Sequence, residues 1–363
     1  MSESIEWVCS AERLAAIKGE WDRLADQEQT PFLRHGWLSS WWAAYGNGRL
    51  RICALWDGSE LAAAFPLFAT TSGLTGLANE HTPLFRPLAR GRRELERVVD
   101  EVLAKPHDLV VEALPGDHPA LEVLTERSGR LGRRLLIEQQ HTSPIAETAG
   151  GDDYAARLSG KTARELRRLR GKMEREHRVE VSMLIRPAEL EQELQLGFEV
   201  EASGWKGEHG TAVLCVPQAD RFYRLMARSF HEEDRLRTST IRLDGQIAAF
   251  DLCLLDNGRV YGIKFGYDER FRNLAPGLVL QHGEIERCCE LGLDAFELLG
   301  DDEEYKRRFA TTQRRHYTLR AYGGRPLSLA RYGYRRVRPI LKRAYRSLPA
   351  GAARMRSGAT RAR

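Results

Sequence analysis

The chain has 363 residues, of which 42% are hydrophobic and 29% are charged. This composition is that of a globular protein, and the length favours two domains of ordinary size. No apolar run approaches the roughly 18 residues that a membrane-spanning helix needs. The start of the sequence, MSESIEWVCSAERL, carries early acids instead of the basic-then-apolar pattern of a signal peptide.

Six cysteines occur without a CxxC pair or a zinc-ligand spacing. They indicate free or buried thiols in a reducing compartment, so the expected location is the cytoplasm. The ten histidines are also scattered without ligand spacing, and no metalloprotease, serine-hydrolase or Walker A motif is found. We therefore expect no metal.

Basic residues are concentrated at the C-terminal end of the chain. Residues 325–363 contain twelve Lys or Arg and no Asp or Glu, whereas the whole chain carries only +5, so the body is net acidic. Such an asymmetry indicates an interaction segment. Tyr, Leu and Ile alternate with Arg at near-helical spacing, interrupted by Gly333 and Pro339. The expected partner is an anionic membrane surface or nucleic acid, and the alternative is a disordered solubilising tail.

The first half reads as alternating strands and helices. Asp57–Gly58 lies between two alternating apolar runs and predicts a hairpin. The predicted elements are a strand at 4–9, helices at 11–27 and 35–45, strands at 50–56 and 60–71, a helix at 92–103, a strand at 108–114, a helix at 118–128 and a strand at 133–140.

The second half repeats this plan, with hairpin turns at Asp244–Gly245 and Asn257–Gly258. The shared order of helices, hairpin and helix–strand–helix–strand indicates two copies of one supersecondary unit. The predicted elements are a strand at 179–185, helices at 188–203 and 220–230, strands at 237–243, 246–255 and 259–265, a helix at 276–291, a strand at 294–300, a short helix at 302–309 and a strand at 317–322.

A basic helix is predicted between the halves. Residues 161–178 hold eight Lys or Arg against three Glu at helical spacing. This segment is either a solvated linking helix with i,i+4 ion pairs or an arm that binds phosphate.

Several motifs in the second half, taken together in their order and spacing, resemble the GNAT acyltransferase superfamily. They are EASGWKG at 201–207, GTA at 210–212, the hairpin LDGQIAAFDLCL, IKFGYDE at 263–269, APG at 275–277, and GD at 300–301 followed by YK at 305–306 and Phe309. The segments FLRHGWLSSWWAAYG and LSGKTARELRRLRGKME resemble the opening segment and the inter-domain helix of the CelD-like (cellulose-biosynthesis type) branch. That branch is related to the FemAB-type aminoacyltransferases.

The resemblance implies an α/β (α+β) fold made of two GNAT-like units in tandem, each a mixed, mostly antiparallel sheet flanked by helices. The corresponding division is a degenerate domain at 1–150, the basic helix at 151–178, a catalytic domain at 179–324 and the Arg-rich tail at 325–363. The first half lacks a Pro–Gly helix start after its strands, so it is expected to be structural and to help shape the substrate cleft.

Acyl-CoA (acetyl-CoA) is the donor that the resemblance implies. A helix that begins at Pro276 would direct its first amides and its dipole at the pyrophosphate. Pro276 removes one amide from that site, so either fewer amides act together with Arg270 or Arg272, or the donor is not CoA. The expected cofactor-binding residues are Lys264, Phe265, Gly266, Arg272, Ala275, Gly277 and Leu278.

Three side chains are expected to carry the chemistry. Asp268 is the first choice for the base that takes the amine proton, and the alternative is a solvated loop acid. Glu201 is a second candidate base or an amine-binding carboxylate. Tyr305 would protonate the leaving group, as a tyrosine does in many GNAT enzymes, or would pack on the sheet. The expected substrate-binding residues are Trp205 and Lys206 of a lid, Tyr267 and Lys306.

The function expected from these residues is acyl-CoA-dependent N-acyl transfer to an amine on an amino sugar or a lipid-linked or cell-envelope precursor. One alternative is a FemAB-like transferase that uses aminoacyl-tRNA. Another is a non-catalytic GNAT-like module that binds an anionic surface. The expected location is the cytoplasm, with peripheral contact at the inner membrane face.

Overall fold

A computed structural model describes residues 3–28, 30–149 and 154–346. The side chains of residue 155, Trp205 and residues 339–346 lie outside this description. Among the described helices, none is both long enough and apolar enough to cross a membrane.

The first half begins with helices packed beside short strands. The described elements are β1 (Glu3–Val8), α1 (Ala11–Ala16), α2 (Lys18–Ala25), a 3₁₀ helix (Pro31–Leu33), α3 (His35–Tyr45), β2 (Arg49–Leu50), β3 (Ile52–Asp57), β4 (Glu60–Phe65), β5 (Leu67–Thr70), β6 (Gly73–Gly76), β7 (Leu88–Ala89), α4 (Arg92–Ala104), β8 (Asp108–Pro115), α5 (Pro119–Arg130) and β9 (Arg134–Glu147).

The second half contains the longer strands. Its described elements are α6 (Tyr154–Arg157), α7 (Gly160–Glu176), β10 (Val179–Ile185), α8 (Leu190–Ala202), α9 (Trp205–Glu208), a 3₁₀ helix (Val213–Cys215), α10 (Pro217–Glu232), β11 (Leu236–Leu243), β12 (Gln246–Asp256), β13 (Arg259–Tyr267), a 3₁₀ helix (Glu269–Leu274), α11 (Pro276–Glu290), β14 (Ala295–Glu297), α12 (Glu304–Arg307), β15 (Thr312–Tyr322) and α13 (Pro326–Arg346).

Two predicted elements of the first half are divided in the structure. The helix expected at 11–27 breaks at Ile17 into α1 and α2. The strand expected at 60–71 divides at Pro66, which has no N–H to continue a hydrogen-bonded ladder, and β4 and β5 then join different sheets. In the C-terminal tail the sequence predicted interruptions at Gly333 and Pro339, but helix α13 continues through both residues.

One sheet of eleven strands joins the two halves. Its order is β10-β11-β12-β13-β14-β9-β15-β8-β6-β5-β2, and β1-β3-β4-β7 form a separate sheet. Strand β9 of the first half lies between β14 and β15 of the second, and β15 pairs in turn with β8. The mixed α/β fold that the sequence predicted is thus present as a continuous sheet. The four-part division of the chain stays a prediction.

Each half contains one parallel strand pair joined through a helix. In the first half β6 pairs with β8 across α4, and in the second β13 pairs with β14 across α11. The first pair is closed by its own connecting loop, since Phe85 N–H donates to the Ala113 carbonyl at 3.0 Å. A Cβ at Gly76 would lie only 2.4 Å from the buried Phe85 ring. The loop therefore fills the gap that a cofactor would need.

A buried ion pair and an edge-to-face aromatic contact connect the halves. Arg34 Nε donates to Asp256 Oδ1 at 2.7 Å, and both residues are only 1% exposed. Nearby, Trp37 of α3 meets Phe222 of α10 edge to face at 5.0 Å. The two halves therefore share one core rather than touching through a solvated surface.

Candidate active site

The second parallel pair opens into a cavity of about 580 Å³. The pairing of β13 with β14 ends at Tyr261 and Glu297, and beyond this point the two strands separate. The residues that follow on each strand line the cavity together with the start of α11. The lining residues used below are Glu201, Lys206, Asp251, Gly262, Ile263, Phe265, Gly266, Tyr267, Arg272, Ala275, Gly277, Leu278, Gln281, Glu303, Tyr305 and Lys306.

A β-bulge lies at the cavity wall. Leu252 of β12 pairs with Lys264 of β13. The next residue of β12, Cys253, pairs with Gly262, so Ile263 is the extra residue. A bulge takes backbone groups out of the ladder and turns them toward a neighbouring site. The bulge precedes the strand end, residues 264–266, that the sequence assigned to the donor. Those three residues pair with β12, and Lys206 Nζ donates to the Phe265 carbonyl at 3.0 Å, so the assignment stays a prediction.

The first turn of α11 faces the cavity with few free amides. Ala275 is left-handed at φ 48°, Pro276 has no N–H, and the N–H groups of Leu278 and Val279 both bond to the Ala275 carbonyl. Gly277 is the first-turn residue whose amide these bonds do not use. A Cβ there would lie 2.5 Å from the Phe265 ring, so the close packing requires glycine. The helix start is thus a smaller anion site than a glycine-rich loop would be.

The cations at this end of the cavity are already largely engaged. Arg270 binds Asp268 and its side chain is 67% exposed. Lys306 donates to the carbonyls of Leu299 and Asp301 at 2.9 and 3.3 Å, and so fixes the backbone that follows β14. Arg272 lines the cavity, and we identify it as the side chain most available to a phosphate.

Asp268 lies outside the cavity lining. Its carboxylate accepts from the backbone N–H of Arg270 and from the Arg270 guanidinium, and it caps the 3₁₀ helix Glu269–Leu274. The hydrogen bonds from Arg270 hold the pKa of Asp268 below its usual range. A carboxylate so held is a weak proton acceptor, and its geometry is that of a helix cap.

Glu201 lies in the cavity between two lysines. Its Oε1 is 3.1 Å from Lys206 Nζ and 3.5 Å from Lys264 Nζ, and its Oε2 accepts from Val213 N–H at 2.8 Å. Burial favours the neutral acid, but Lys264 and Lys206 outweigh it and lower the pKa of Glu201. The carboxylate therefore remains charged and orients both ammonium groups.

Lys264 contacts an aromatic ring of α10 as well as Glu201. Its ammonium lies 4.8 Å from the centre of the Tyr223 ring, a cation–π contact. The Tyr223 hydroxyl lies 3.2 Å from His81 Nδ1. Burial, with a further contribution from Lys264, lowers the pKa of His81 to about 4. His81, a neutral histidine from the first half, thus belongs to the same cluster of polar side chains as Glu201, Lys264 and Tyr223.

Asp251 is a cavity residue that sequence reasoning missed. It lies on β12, is 1% exposed, and its Oδ1 has no hydrogen-bond partner among the described residues. Burial and the neighbouring Glu284 raise the pKa of Asp251 well above its usual range. A lone acid inside the apolar run QIAAFDLCLL was the available signal, because such a residue is costly unless it has a function or a partner.

The buried polar side chains beneath α11 offer more hydrogen-bond acceptors than donors. Glu284 Oε2 and Gln281 Oε1 also have no hydrogen-bond partner among the described residues, and Cys253 donates to Glu284 at 3.5 Å. Burial raises the pKa of Glu284 to about 8. Asp251, Cys253 and Glu284 bring one ligand atom each within 4.8 Å, so they could hold a metal ion. A proton shared between the two acids is the alternative, because a protonated carboxyl group donates a hydrogen bond.

Tyr305 lines the cavity after β14. Burial, together with the Glu303 carboxylate, raises the pKa of its phenol. Tyr305 therefore keeps its proton and is a hydrogen-bond donor at any physiological pH.

The structure brings most of the predicted site residues to one cavity. Phe265, Gly266, Arg272, Ala275, Gly277 and Leu278 line it, as do Glu201, Tyr305, Lys206, Tyr267 and Lys306. Lys264 is not part of the lining but contacts Glu201 and the Tyr223 ring, and Asp268 caps a 3₁₀ helix outside the lining. The side chain of Trp205 lies outside the described residues. The roles assigned to these residues stay predictions.

Comparison with known proteins supports this arrangement. Residues 160–307 match the family model of the GNAT acetyltransferase domain. No curated protein matches the chain. Three solved structures are similar: the C-terminal domain of a putative lysylphosphatidylglycerol synthetase from Agrobacterium fabrum (10% identity, 87% of this chain and 94% of that chain, TM-score 0.57), L-PGS from Bacillus licheniformis (14%, 88% and 94%, 0.53) and FemX (10%, 87% and 97%, 0.55).

At these identities the three structures show the fold alone. The family match therefore supports a GNAT-like fold for residues 160–307, which are less than half of the chain. The CelD-like branch stays a prediction.

Proposed function

We propose that this chain transfers an acyl group from an activated donor in the β13/β14 cavity to an amine. The observation that carries the proposal is the combination of separated parallel strands, a β-bulge at Ile263 and the start of α11 around one cavity. This arrangement offers backbone donors to an acyl carbonyl and a helix terminus to a phosphate.

Asp251 and Tyr305 are the residues that we assign to proton transfer. The amine nitrogen attacks the acyl carbon, so a C–N bond forms and the thioester or ester bond breaks. Asp251 accepts the proton that the amine loses, since its raised pKa makes it a better base than an ordinary carboxylate. Tyr305 gives its proton to the departing sulfur or oxygen. Solvent exchange then returns both side chains to their starting states.

The leading donor is acyl-CoA, as the GNAT domain match favours. Arg272 and the Gly277 amide would bind its pyrophosphate. The acceptor class that we retain is an amine on an amino sugar or on a lipid-linked or cell-envelope precursor. Glu201 and its two lysines lie where such an acceptor would be oriented. We retain the cytoplasm as the proposed location.

An aminoacyl-tRNA donor is the second candidate, and a specific contact favours it. The basic helix α7 packs against the 3₁₀ helix Glu269–Leu274 and against α11. Arg167 and Arg168 of α7 are exposed, so they extend a positively charged surface outward from the anion site at the first turn of α11. A long polyanion would use such a surface, whereas CoA would not.

Titration calorimetry with separate ligands distinguishes the donors. If acyl-CoA is the donor, acetyl-CoA binds and Arg272→Ala weakens binding on the order of 10-fold or more, because a charge-assisted phosphate bond is lost. The matched control is Arg270→Ala, which removes a neighbouring guanidinium outside the lining and leaves the affinity close to that of the parent protein.

If aminoacyl-tRNA is the donor, an aminoacylated acceptor-stem minihelix binds instead. That binding weakens with salt and with Arg167→Ala/Arg168→Ala. Failure of acetyl-CoA, longer acyl-CoAs and the minihelix to bind would reject both donors and favour the non-catalytic module.

A further inference from the structure

Helix α13 presents apolar side chains to solvent. Leu327, Tyr334 and Val337 are 62%, 63% and 46% exposed. Their spacings of seven and three residues place them on one side of an α-helix. The sequence continues this pattern at Leu341, four residues beyond Val337. The exposed residues thus form a stripe along the helix rather than isolated surface positions.

The same helix is strongly cationic. Between Pro326 and Arg346 it contains seven Lys or Arg and no acid. Arg335, Arg336 and Arg338 are exposed. Arg338 lies next to the apolar stripe, whereas Arg336 lies on another side of the helix, where it donates to the Tyr332 hydroxyl at 3.3 Å. Hence the helix combines an apolar face with a dense positive flank.

The other side of α13 is fixed to the sheet. Tyr332 packs edge to face on Tyr322 of β15 at 5.6 Å, and Arg331 donates to the Ser72 carbonyl at 2.9 Å. Arg331 also lies 3.3 Å from Asp108, and Ser328 is buried. These contacts hold the helix on the body of the protein with the apolar stripe facing outward.

We propose that α13 lies on the surface of an anionic lipid bilayer. Leu327, Tyr334 and Val337 enter the boundary between headgroups and acyl chains, and the exposed arginines bind lipid phosphates. Lipid fits better than nucleic acid, because an apolar stripe gains nothing from a phosphodiester backbone but is buried by lipid. The tyrosine suits the interface because its ring is apolar and its hydroxyl is polar.

Flotation of the full-length chain with vesicles tests this proposal. The vesicles are phosphatidylcholine alone, or phosphatidylcholine with about 30 mol% phosphatidylglycerol to give a negative surface. The chain should float with the anionic vesicles and not with the neutral ones, and binding should weaken as salt rises.

Two triple variants separate the apolar and charged contributions. Leu327→Ser/Tyr334→Ser/Val337→Ser should lower partitioning on the order of 30-fold through lost burial of apolar surface. Arg335→Ala/Arg336→Ala/Arg338→Ala should lower it on the order of 100-fold. The control Lys161→Ala/Arg167→Ala/Arg168→Ala removes the same charge from α7 and should leave partitioning within a few-fold. Thermal unfolding midpoints verify that the variants remain folded.

Three outcomes would overturn the proposal. The first is no flotation with anionic vesicles. The second is an equal loss from the α7 control, which would mean that net charge alone is responsible. The third is that the serine triple variant floats like the parent protein while the arginine-to-alanine triple variant loses tRNA binding. That result would identify α13 as a nucleic-acid contact.

Discussion

At the scale of single residues, the position of a carboxyl group decides what it can do. Asp251, Asp268 and Glu201 belong to the same domain, yet the first is buried and has a raised pKa, the second caps a helix and the third is held charged between lysines. Burial and neighbouring charge thus give these acids different proton affinities. We assign proton acceptance to Asp251 on this ground.

Asp251→Asn should lower kcat on the order of 10²–10⁴-fold with donor affinity preserved, because the amide cannot accept the amine proton. Turnover and calorimetric donor binding are measured on the same preparation. Asp268→Asn is the matched comparison, and it should retain turnover while losing cap stability, about 1 kcal/mol. The reverse pattern would return the base role to Asp268, as the sequence first suggested.

Stability should depend on pH through the buried acid Glu284. Burial raises its folded pKa to about 8 from its ordinary value of 4.5, so the folded state binds the proton more tightly. This stabilisation is fully present below about pH 4.5 and is lost as pH rises through about 8. In urea unfolding, the free energy of unfolding of Glu284→Gln should therefore fall less steeply between about pH 4.5 and about pH 8 than that of the parent protein. The control is Glu290→Gln, which replaces an exposed acid on the same helix. Its free energy of unfolding should change with pH as that of the parent protein does.

At the scale of elements, the contact between α8 and β13 positions Glu201. A Cβ at Gly266 would lie 2.7 Å from the Glu201 Cα, and backbone at this distance cannot move aside locally. Glycine is therefore what allows the helix to approach the strand and place its carboxylate in the cavity.

Gly266→Ala should destabilise the protein by about 1–3 kcal/mol, because α8 must shift away from the strand. Chemical denaturation measures this change. Gly129→Ala, on α5 with no atom within 4 Å of the new Cβ, should instead stabilise by about 0.5–1 kcal/mol. A neutral result at Gly266 would show that α8 is free to move.

Element boundaries illustrate what the sequence can and cannot predict. Helix α3 begins and ends at the predicted residues, and α4 and α11 each match to within one residue, because their helical runs and the turn residues that flank them are local signals. Strand β9 extends to Glu147, well past the predicted end. Its later residues pair with β14 and β15, which lie far away in sequence, so no local pattern marks them.

At the scale of the whole molecule, the two halves are joined through a shared sheet and a buried charge pair. Arg34 comes from the first half and Asp256 from the second, and Arg235 also binds Asp256. Removing Arg34 leaves the buried Asp256 carboxylate with the partly exposed Arg235 as its remaining partner, so its charge is less well compensated.

Arg34→Ala should cost about 3–5 kcal/mol and lower the stability of both halves in a single unfolding transition. Differential scanning calorimetry monitors this transition. Arg23→Ala, which breaks an exposed pair with Glu20, should cost no more than about 1 kcal/mol. Two separate transitions in the Arg34 variant would show that the halves fold independently.

The sequence by itself determined the order of elements, the GNAT resemblance and the residues around the donor strand and α11. These follow from local periodicity, turn chemistry and motif spacing. Only the tertiary structure decided that Asp268 caps a turn while Asp251 faces the cavity, that Phe85 closes the first strand pair, and that β9 crosses into the second half. Each of these depends on contacts between distant segments, and burial and long-range pairing leave only weak traces in a local pattern.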